Sequence, residues 1–112
     1  MNDEMNRSVL CPLEAIADPG GKGFVLGTRE IFVVRRGDAV HGYENSCPHT
    51  GVPLDWMPDQ FLNLDGDLIQ CSTHHALFRI DDGACVAGPC AGRGLQPVGV
   101  AVIEGQVVVV EP

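Results

Sequence analysis

Two short stretches decide what this chain can fold around: NSCPHTG at residues 45–51 and QCSTHHA at residues 70–76. Each contains one cysteine followed by a histidine, two positions later in the first stretch and three positions later in the second. Each follows a segment of strand-forming residues, so we predict two loops at strand ends. Two thiolates and two imidazoles on such loops make a four-ligand metal set. The candidate ligands are Cys47, His49, Cys71 and His74.

The composition around these loops predicts a mostly β fold. The 112 residues include fourteen glycines and eight prolines, which is typical of short strands joined by tight turns. Hydrophobic residues make up 45% of the chain and charged residues 20%, as in ordinary globular domains. A chain of this length has room for one core, so we expect residues 1–112 to form a single domain.

Apolar segments bounded by turn residues predict the order of the elements. The predicted strands cover residues 24–26, 31–35, 39–44, 68–70, 76–80, 95–102 and 106–110. Hairpin turns are predicted at residues 36–38, 81–83 and 104–105. Residues 20–23, which include three glycines, are predicted to form a turn, and residues 11–18 an edge strand or a turn.

The net charge disfavours two classes of partner. Fifteen acidic residues against seven basic ones give a net charge of −8, which disfavours binding to nucleic acid or to an anionic membrane.

The chain shows neither a secretory signal pattern nor an apolar run of membrane length, so we expect a cytoplasmic protein. We find no catalytic triad, phosphate loop or paired catalytic carboxylates, and we therefore predict that the protein is not itself an enzyme.

The two loops resemble those of the Rieske family, which binds a [2Fe-2S] cluster through two cysteines on one iron and two histidines on the other. The resemblance runs from about Tyr43 to Leu95. It also includes Gly51, Phe78, Asp82-Gly83 and a proline-containing loop that begins with Gly88-Pro89. It implies that Cys47 and Cys71 ligate the buried iron, and that His49 and His74 ligate the outer iron.

The resemblance also implies a fold and a function. The expected fold is an antiparallel β-sandwich or barrel with a small cluster-binding subdomain at about residues 45–92. The chain resembles the ferredoxin components of ring-hydroxylating oxygenase systems, which implies a one-electron carrier between a flavin-dependent reductase and a terminal oxygenase. Two alternatives stay open: a non-shuttling redox subunit or sensor, similar to the small subunit of a nitrite reductase, and a structural zinc module.

Departures from the family pattern imply a low potential. High-potential members carry an extra cysteine in each ligand loop, where this chain has Val52 and Thr73, and a serine where it has Ala76. Losing a hydrogen-bond donor to a cluster sulfur stabilises the oxidised state. We therefore predict a midpoint in the lower part of the roughly −150 to +300 mV Rieske range.

Three features are left with open roles. His75 follows His74 directly, and spacing favours His74 as the ligand. Cys11, Cys85 and Cys90 are predicted to be small buried residues, with a Cys85–Cys90 disulfide as the alternative for the last two. The acidic segment at residues 55–67 is interpreted as a solvated face or a docking site for a basic partner.

Overall fold

The computed structural model describes residues 8–46, 61–63, 66–71, 76–88 and 94–110. Over these ranges the chain forms strands and one short 3-10 turn at Leu13–Ala15, with no α-helix. The strands are β1 (Ser8–Pro12), β2 (Gly20–Leu26), β3 (Arg29–Arg36), β4 (Ala39–Glu44), β5 (Leu68–Gln70), β6 (Leu77–Arg79), β7 (Cys85–Ala87), β8 (Pro97–Val98), β9 (Val100–Ile103) and β10 (Gln106–Val109). The predicted all-β class is confirmed.

The strands form three antiparallel sheets. The first has the order β1-β10-β9, the second β2-β3-β4-β8 and the third β5-β6-β7. The first sheet pairs the start of the described chain with its end, since Ser8 lies opposite Val109. The two ends of the described chain therefore lie side by side in one sheet.

Strand β3 is buried on both faces and organises the core. Its four central residues, Ile31 to Val34, are all fully buried. Because successive side chains of a strand point to opposite faces, Ile31 and Val33 pack towards the first sheet. Phe32 and Val34 pack on the other side, with the third sheet. A continuous apolar run is expected for a strand covered on both faces.

The space between the first two sheets is filled by aliphatic side chains. Val33 packs with Cys11, Ile16 and Val107, and burial raises the pKa of the Cys11 thiol against a small opposing effect of Lys22. Each fully buried aliphatic side chain contributes about 1.5–3 kcal/mol of transfer free energy. This packing makes the two sheets the predicted sandwich.

The prediction of a turn at residues 20–23 is wrong, because these residues form the first half of β2. They pair with β3, with Gly20 opposite Arg35 and Gly23 opposite Phe32. The glycines serve close packing: a Cβ at Gly20 would lie 2.8 Å from the Cβ of Ala17. The turn lies instead at residues 27–28, where Gly27 has a φ of 63°.

The single strand predicted at residues 95–102 is also wrong, since it is divided between two sheets. Residues 97–98 (β8) pair with β4, whereas residues 100–103 (β9) pair with β10. Gly99 lies at the change of sheet, and its carbonyl accepts a hydrogen bond from the Val110 amide at 2.9 Å. Strand β7 was not predicted, because its three residues are too few to give a periodic pattern.

The predictions of burial for Cys11 and Cys85 have different outcomes. The predicted burial of Cys11 is confirmed. Cys85 is partly exposed and disulfide-bonded, so the prediction of a small buried residue is wrong for Cys85. The physical reason is that Cys85 lies on β7, an edge strand of a three-stranded sheet that pairs with β6 on one side only. Cys90 lies outside the described residues.

The predicted hairpin turns are confirmed. Gly37 lies in the turn between β3 and β4 with a φ of 61°, and Glu104 and Gly105 turn from β9 to β10 with φ of 53° and 76°. The turn at residues 81–83 joins β6 to β7. In the part of the chain that the structure describes, no helix is long and apolar enough to cross a membrane.

Candidate metal centre

Of the four candidate ligands, the structure describes Cys71. It follows β5 directly and its side chain is fully buried, packed in the core cluster that also contains Phe61, Ala76 and Phe78. Cys47, His49 and His74 lie outside the described residues, as does the alternative ligand His75. Among the described residues, no three His, Cys, Asp or Glu side chains come together into a metal site.

The second ligand loop is closed at its base by a backbone hydrogen bond. The amide of Cys71 donates to the carbonyl of Ala76 at 2.9 Å, continuing the pairing of Gln70 with Leu77. Four residues, 72–75, therefore connect the two ends. This bond holds together the two ends of the loop that contains the predicted ligand His74.

The first ligand loop leaves β4 and returns beside Cys71. At its start, the amide of Asn45 donates to the carbonyl of Glu30 at 2.8 Å. At its return, Phe61 is buried and stacks on Phe32, with 4.4 Å between ring centroids and 7° between planes. The carbonyl of Phe61 accepts a hydrogen bond from the amide of Gln70 at 2.8 Å. The returning end of this loop is thus anchored next to Cys71.

The proline-containing loop begins against the base of the second loop. Gly88 has a φ of 99°, and a Cβ on it would lie 2.8 Å from the Cα of Ala76. A glycine is required there both by its backbone conformation and by the close approach. At the other end of the loop, Gly94 forms an isolated bridge with Ala84. Both ends are therefore attached to the hairpin that follows Cys71.

The turn of this hairpin is held by charge and by a buried hydroxyl. Asp82 accepts hydrogen bonds from the guanidinium of Arg79 and from the amide of Ala84, and these partners lower the pKa of Asp82 to about 2. The hydroxyl of Tyr43 donates to the carbonyl of Ile80 at 2.5 Å. Burial, with smaller contributions from Asp82 and the neighbouring aspartate, raises the pKa of Tyr43 to about 12.

Sequence reasoning missed the role of Tyr43. Its hydroxyl joins β4 of the second sheet to the end of β6, and so ties the sandwich to the sheet that carries Cys71. The signal was present in the sequence, because a tyrosine in an apolar strand needs a hydrogen-bond partner when it is buried. Its partner could not be identified without the fold.

The described residues fit an iron–sulfur cluster. Cysteine sulfur is the protein ligand of such clusters, and Cys71 offers one in an apolar, water-excluding environment. The bases of the second loop, the proline-containing loop and the returning first loop all lie around Cys71 and Ala76. Gly88 leaves room at this corner where any other side chain would be in contact with Ala76.

Cysteine thiolates are the usual ligands of iron–sulfur clusters, and Cys71 lies buried where the bases of the loops meet. Residues 6–104 match the model of the Rieske [2Fe-2S] domain, and the chain belongs to that family. Its cofactor is accordingly a [2Fe-2S] cluster, which decides against the zinc alternative. It is an electron-transfer protein rather than a catalytic enzyme.

The chain is similar to three known proteins. It is 26% identical over 100 residues to the ferredoxin component of the alkene monooxygenase system of Xanthobacter autotrophicus, covering 89% of this chain and 71% of that protein. Its fold matches the ferredoxin of carbazole 1,9a-dioxygenase from Nocardioides aromaticivorans IC177, with a TM-score of 0.80, 24% identity and coverage of 96% and 99%. It also matches a chain in the complex of reduced oxygenase and oxidized ferredoxin of carbazole 1,9a-dioxygenase, with a TM-score of 0.77, 26% identity and coverage of 94% and 93%.

Proposed function

We propose that this protein is a cytoplasmic carrier that takes single electrons from a flavin-dependent reductase and passes them to a terminal oxygenase. The observation that carries the proposal is the buried Cys71 at the corner where the loop bases meet. The likeness to a ferredoxin component of a monooxygenase system and to a chain in an oxygenase–ferredoxin complex supports the choice of partner.

The proposed ligand set is the one that the two loop motifs predict. Cys47 and Cys71 supply thiolates to one iron, and His49 and His74 supply imidazoles to the other. A cluster held in this way accepts and returns one electron, and neutral imidazoles make it easier to reduce than four thiolates would. The proposal includes one domain over residues 1–112, with a cluster-binding subdomain at about residues 45–92 that contains the third sheet.

The first test is the cofactor content of the protein purified anaerobically. We expect two irons and two acid-labile sulfides per chain, no stoichiometric zinc, and an EPR signal after reduction with an average g of roughly 1.9, as mixed histidine and cysteine ligation gives. Stoichiometric zinc without sulfide would contradict the proposal.

The second test assigns the ligands. Replacing Cys47, His49, Cys71 or His74 singly by alanine is expected to abolish the cluster, whereas His75→Ala is expected to retain it. Cys11→Ala is the matched cysteine control, because Cys11 packs in the other core cluster. Loss of the cluster in His75→Ala and its retention in His74→Ala would reverse the assignment.

The third test separates a shuttle from a fixed subunit. In rapid mixing experiments, a shuttle exchanges electrons with both partners and forms only short-lived complexes. If the acidic segment at residues 55–67 guides docking, the electron-transfer rates fall as the salt concentration rises. Unchanged rates at low salt after reversal of charges in this segment would exclude the docking role. A stable stoichiometric complex with a large enzyme would instead favour the non-shuttling subunit.

A further inference from the structure

A cleft of about 220 Å³ lies where the second sheet meets the turn between β6 and β7. Its lining includes His41 and Tyr43 of β4, Asp81 and Asp82 of that turn, and Pro97 of β8. Cavities that hold small-molecule ligands usually measure roughly 300–1,000 Å³. This cleft is smaller, so it is suited to a single side chain.

The floor of the cleft is formed by strand β4. His41 and Tyr43 are two positions apart, so their side chains point to the same face of the strand. The Tyr43 ring is buried there, and its hydroxyl is engaged with the carbonyl of Ile80. The His41 imidazole is partly buried, and in its neutral form one ring nitrogen can accept a hydrogen bond. The floor therefore combines apolar surface with a hydrogen-bond acceptor.

The two aspartates at the rim differ in what they are free to bind. Asp82 already accepts hydrogen bonds from the Arg79 guanidinium and the Ala84 amide. Within the described part of the chain, no hydrogen bond or ion pair engages the exposed Asp81 carboxylate. Burial is the main cause of the raised pKa of Tyr43, and the charges of both aspartates add to it, so their field reaches the floor. The cleft is therefore negative, with one carboxylate available at its rim.

The occupant that matches this chemistry is an organic cation. Among the described residues, no three His, Cys, Asp or Glu side chains come together to hold a metal ion. An arginine side chain fits better, because its stem packs on apolar surface such as Pro97 while its planar guanidinium donates to a carboxylate. Arginines seated in pockets are also frequent among the residues that dominate protein–protein binding.

We propose that the cleft receives one arginine side chain of a protein partner, and that its guanidinium donates to Asp81 and His41. The net charge of −8 selects partners with a basic surface, and the cleft gives that general attraction a defined point of contact. The recognition of a redox partner through this contact rests on the proposed function.

The cleft and the metal centre lie at opposite ends of the third sheet. The hydrogen bond from the Cys71 amide to Ala76 is at one end of β6, and Asp81 follows Ile80 at the other. The strand between Ala76 and Ile80 is about 13 Å long at roughly 3.3 Å per residue. An arginine seated in the cleft contributes to the binding of a partner and not to the electron-transfer step.

The first test uses the holoprotein, with N-acetylarginine amide as the probe and N-acetylcitrulline amide as its uncharged isostere. We expect the arginine probe alone to shift the NMR amide signals of Gly42, Asp81 and Gly99, which line the cleft. Asp81→Asn should weaken binding severalfold without a change in Tm. Glu14→Gln removes the same charge from an exposed residue of the 3-10 turn and should bind as the wild type does. Shifts scattered over the acidic surface, or equal weakening by the two variants, would overturn the proposal.

The second test measures steady-state electron transfer with the reductase and with the oxygenase. Asp81→Asn should raise the KM for one of these partners severalfold and leave kcat unchanged, whereas Glu14→Gln should leave both constants unchanged. An unchanged KM of Asp81→Asn with both partners would overturn the proposal. Protein that binds the arginine probe in the cleft but contains no iron and sulfide would support the cleft and mark failure of the proposed function.

Discussion

Replacing Tyr43 by phenylalanine tests the tie between the sandwich and the sheet that carries Cys71. The substitution keeps the ring, which is 2% exposed, and removes the hydroxyl that donates to the carbonyl of Ile80. Ile80 is also buried, so its carbonyl loses its hydrogen-bond partner inside the protein. An unsatisfied buried acceptor costs about 1–3 kcal/mol. For a chain of this size we expect the Tm to fall by about 4 °C per kcal/mol.

The pH dependence of the same variant checks the cause. The pKa of Tyr43 is raised from its ordinary value of 10.0 to about 12. Below pH 10 both the folded and the unfolded protein hold the phenolic proton, and its full contribution to stability is present. As the pH rises from 10 towards 12, the unfolded protein loses this proton first, so the folded state loses about 3 kcal/mol of stability. Tyr43→Phe has no such group and should not show this loss.

The assay is thermal unfolding of the wild type and of Tyr43→Phe under anaerobic conditions, at neutral pH and in steps up to pH 12. Tyr43 is the single tyrosine, so the ultraviolet absorbance of tyrosinate reports its pKa directly. Val25→Ala is the control, because the Val25 side chain is 70% exposed and the Tm should not change. An equal Tm for the wild type and Tyr43→Phe at neutral pH, or a tyrosinate pKa near 10, would refute the reasoning.

Three further predictions concern the corner around Ala76 and the turn beside it. Gly88→Ala should lower the Tm and the iron content, because the added Cβ would lie 2.8 Å from the Cα of Ala76. The control Gly27→Ala should lower the Tm less, because nothing lies within 4 Å of its Cβ and the variant bears only the cost of the positive φ. Similar losses of Tm in the two variants would contradict this prediction. Because the pKa of Asp82 is lowered to about 2, its carboxylate contributes stability that is present above pH 3.8 and lost as the pH falls towards 2. Between pH 3.8 and 2, the Tm of Asp82→Asn should therefore fall less with pH than the Tm of the wild type. With Ala76 in place of a serine, a redox titration should give a midpoint below about +100 mV, and a higher value would exclude the low-potential assignment.

Local patterns in the sequence were sufficient to predict the strands and turns that form hairpins. The strands around Ile31–Val34 and the turn at Gly37 could be predicted, because a β-branched run and a glycine turn are signals contained within a few residues. The glycines of β2 were misread as a turn because their role depends on distant partners. Gly21, for example, leaves room for Phe61, forty residues away in the sequence.

For the candidate site, the sequence identified the ligand types and their loops but not what holds the loops together. The hydrogen bond from Cys71 to Ala76 follows from pairing of the flanking strands, and it could have been expected. The contact of Gly88 with Ala76 and the bond from Tyr43 to Ile80 join residues that are distant along the chain. No local pattern encodes such contacts, and they required the fold. The coordination by Cys47, His49 and His74 stays a prediction.

The change of sheet at Gly99 has a consequence for how the protein opens. One uninterrupted segment supplies Val98 to the second sheet and Val100 to the first, so neither sheet can release its strand without pulling on the other. The two layers are therefore coupled through a covalent chain as well as through their packed side chains. We expect their amides to exchange with solvent as one cooperative unit, with a shared free energy of opening. Insertions at Gly99 would have to be accommodated by both layers at once, whereas the open turn at Gly27 could accept a label without disturbing either.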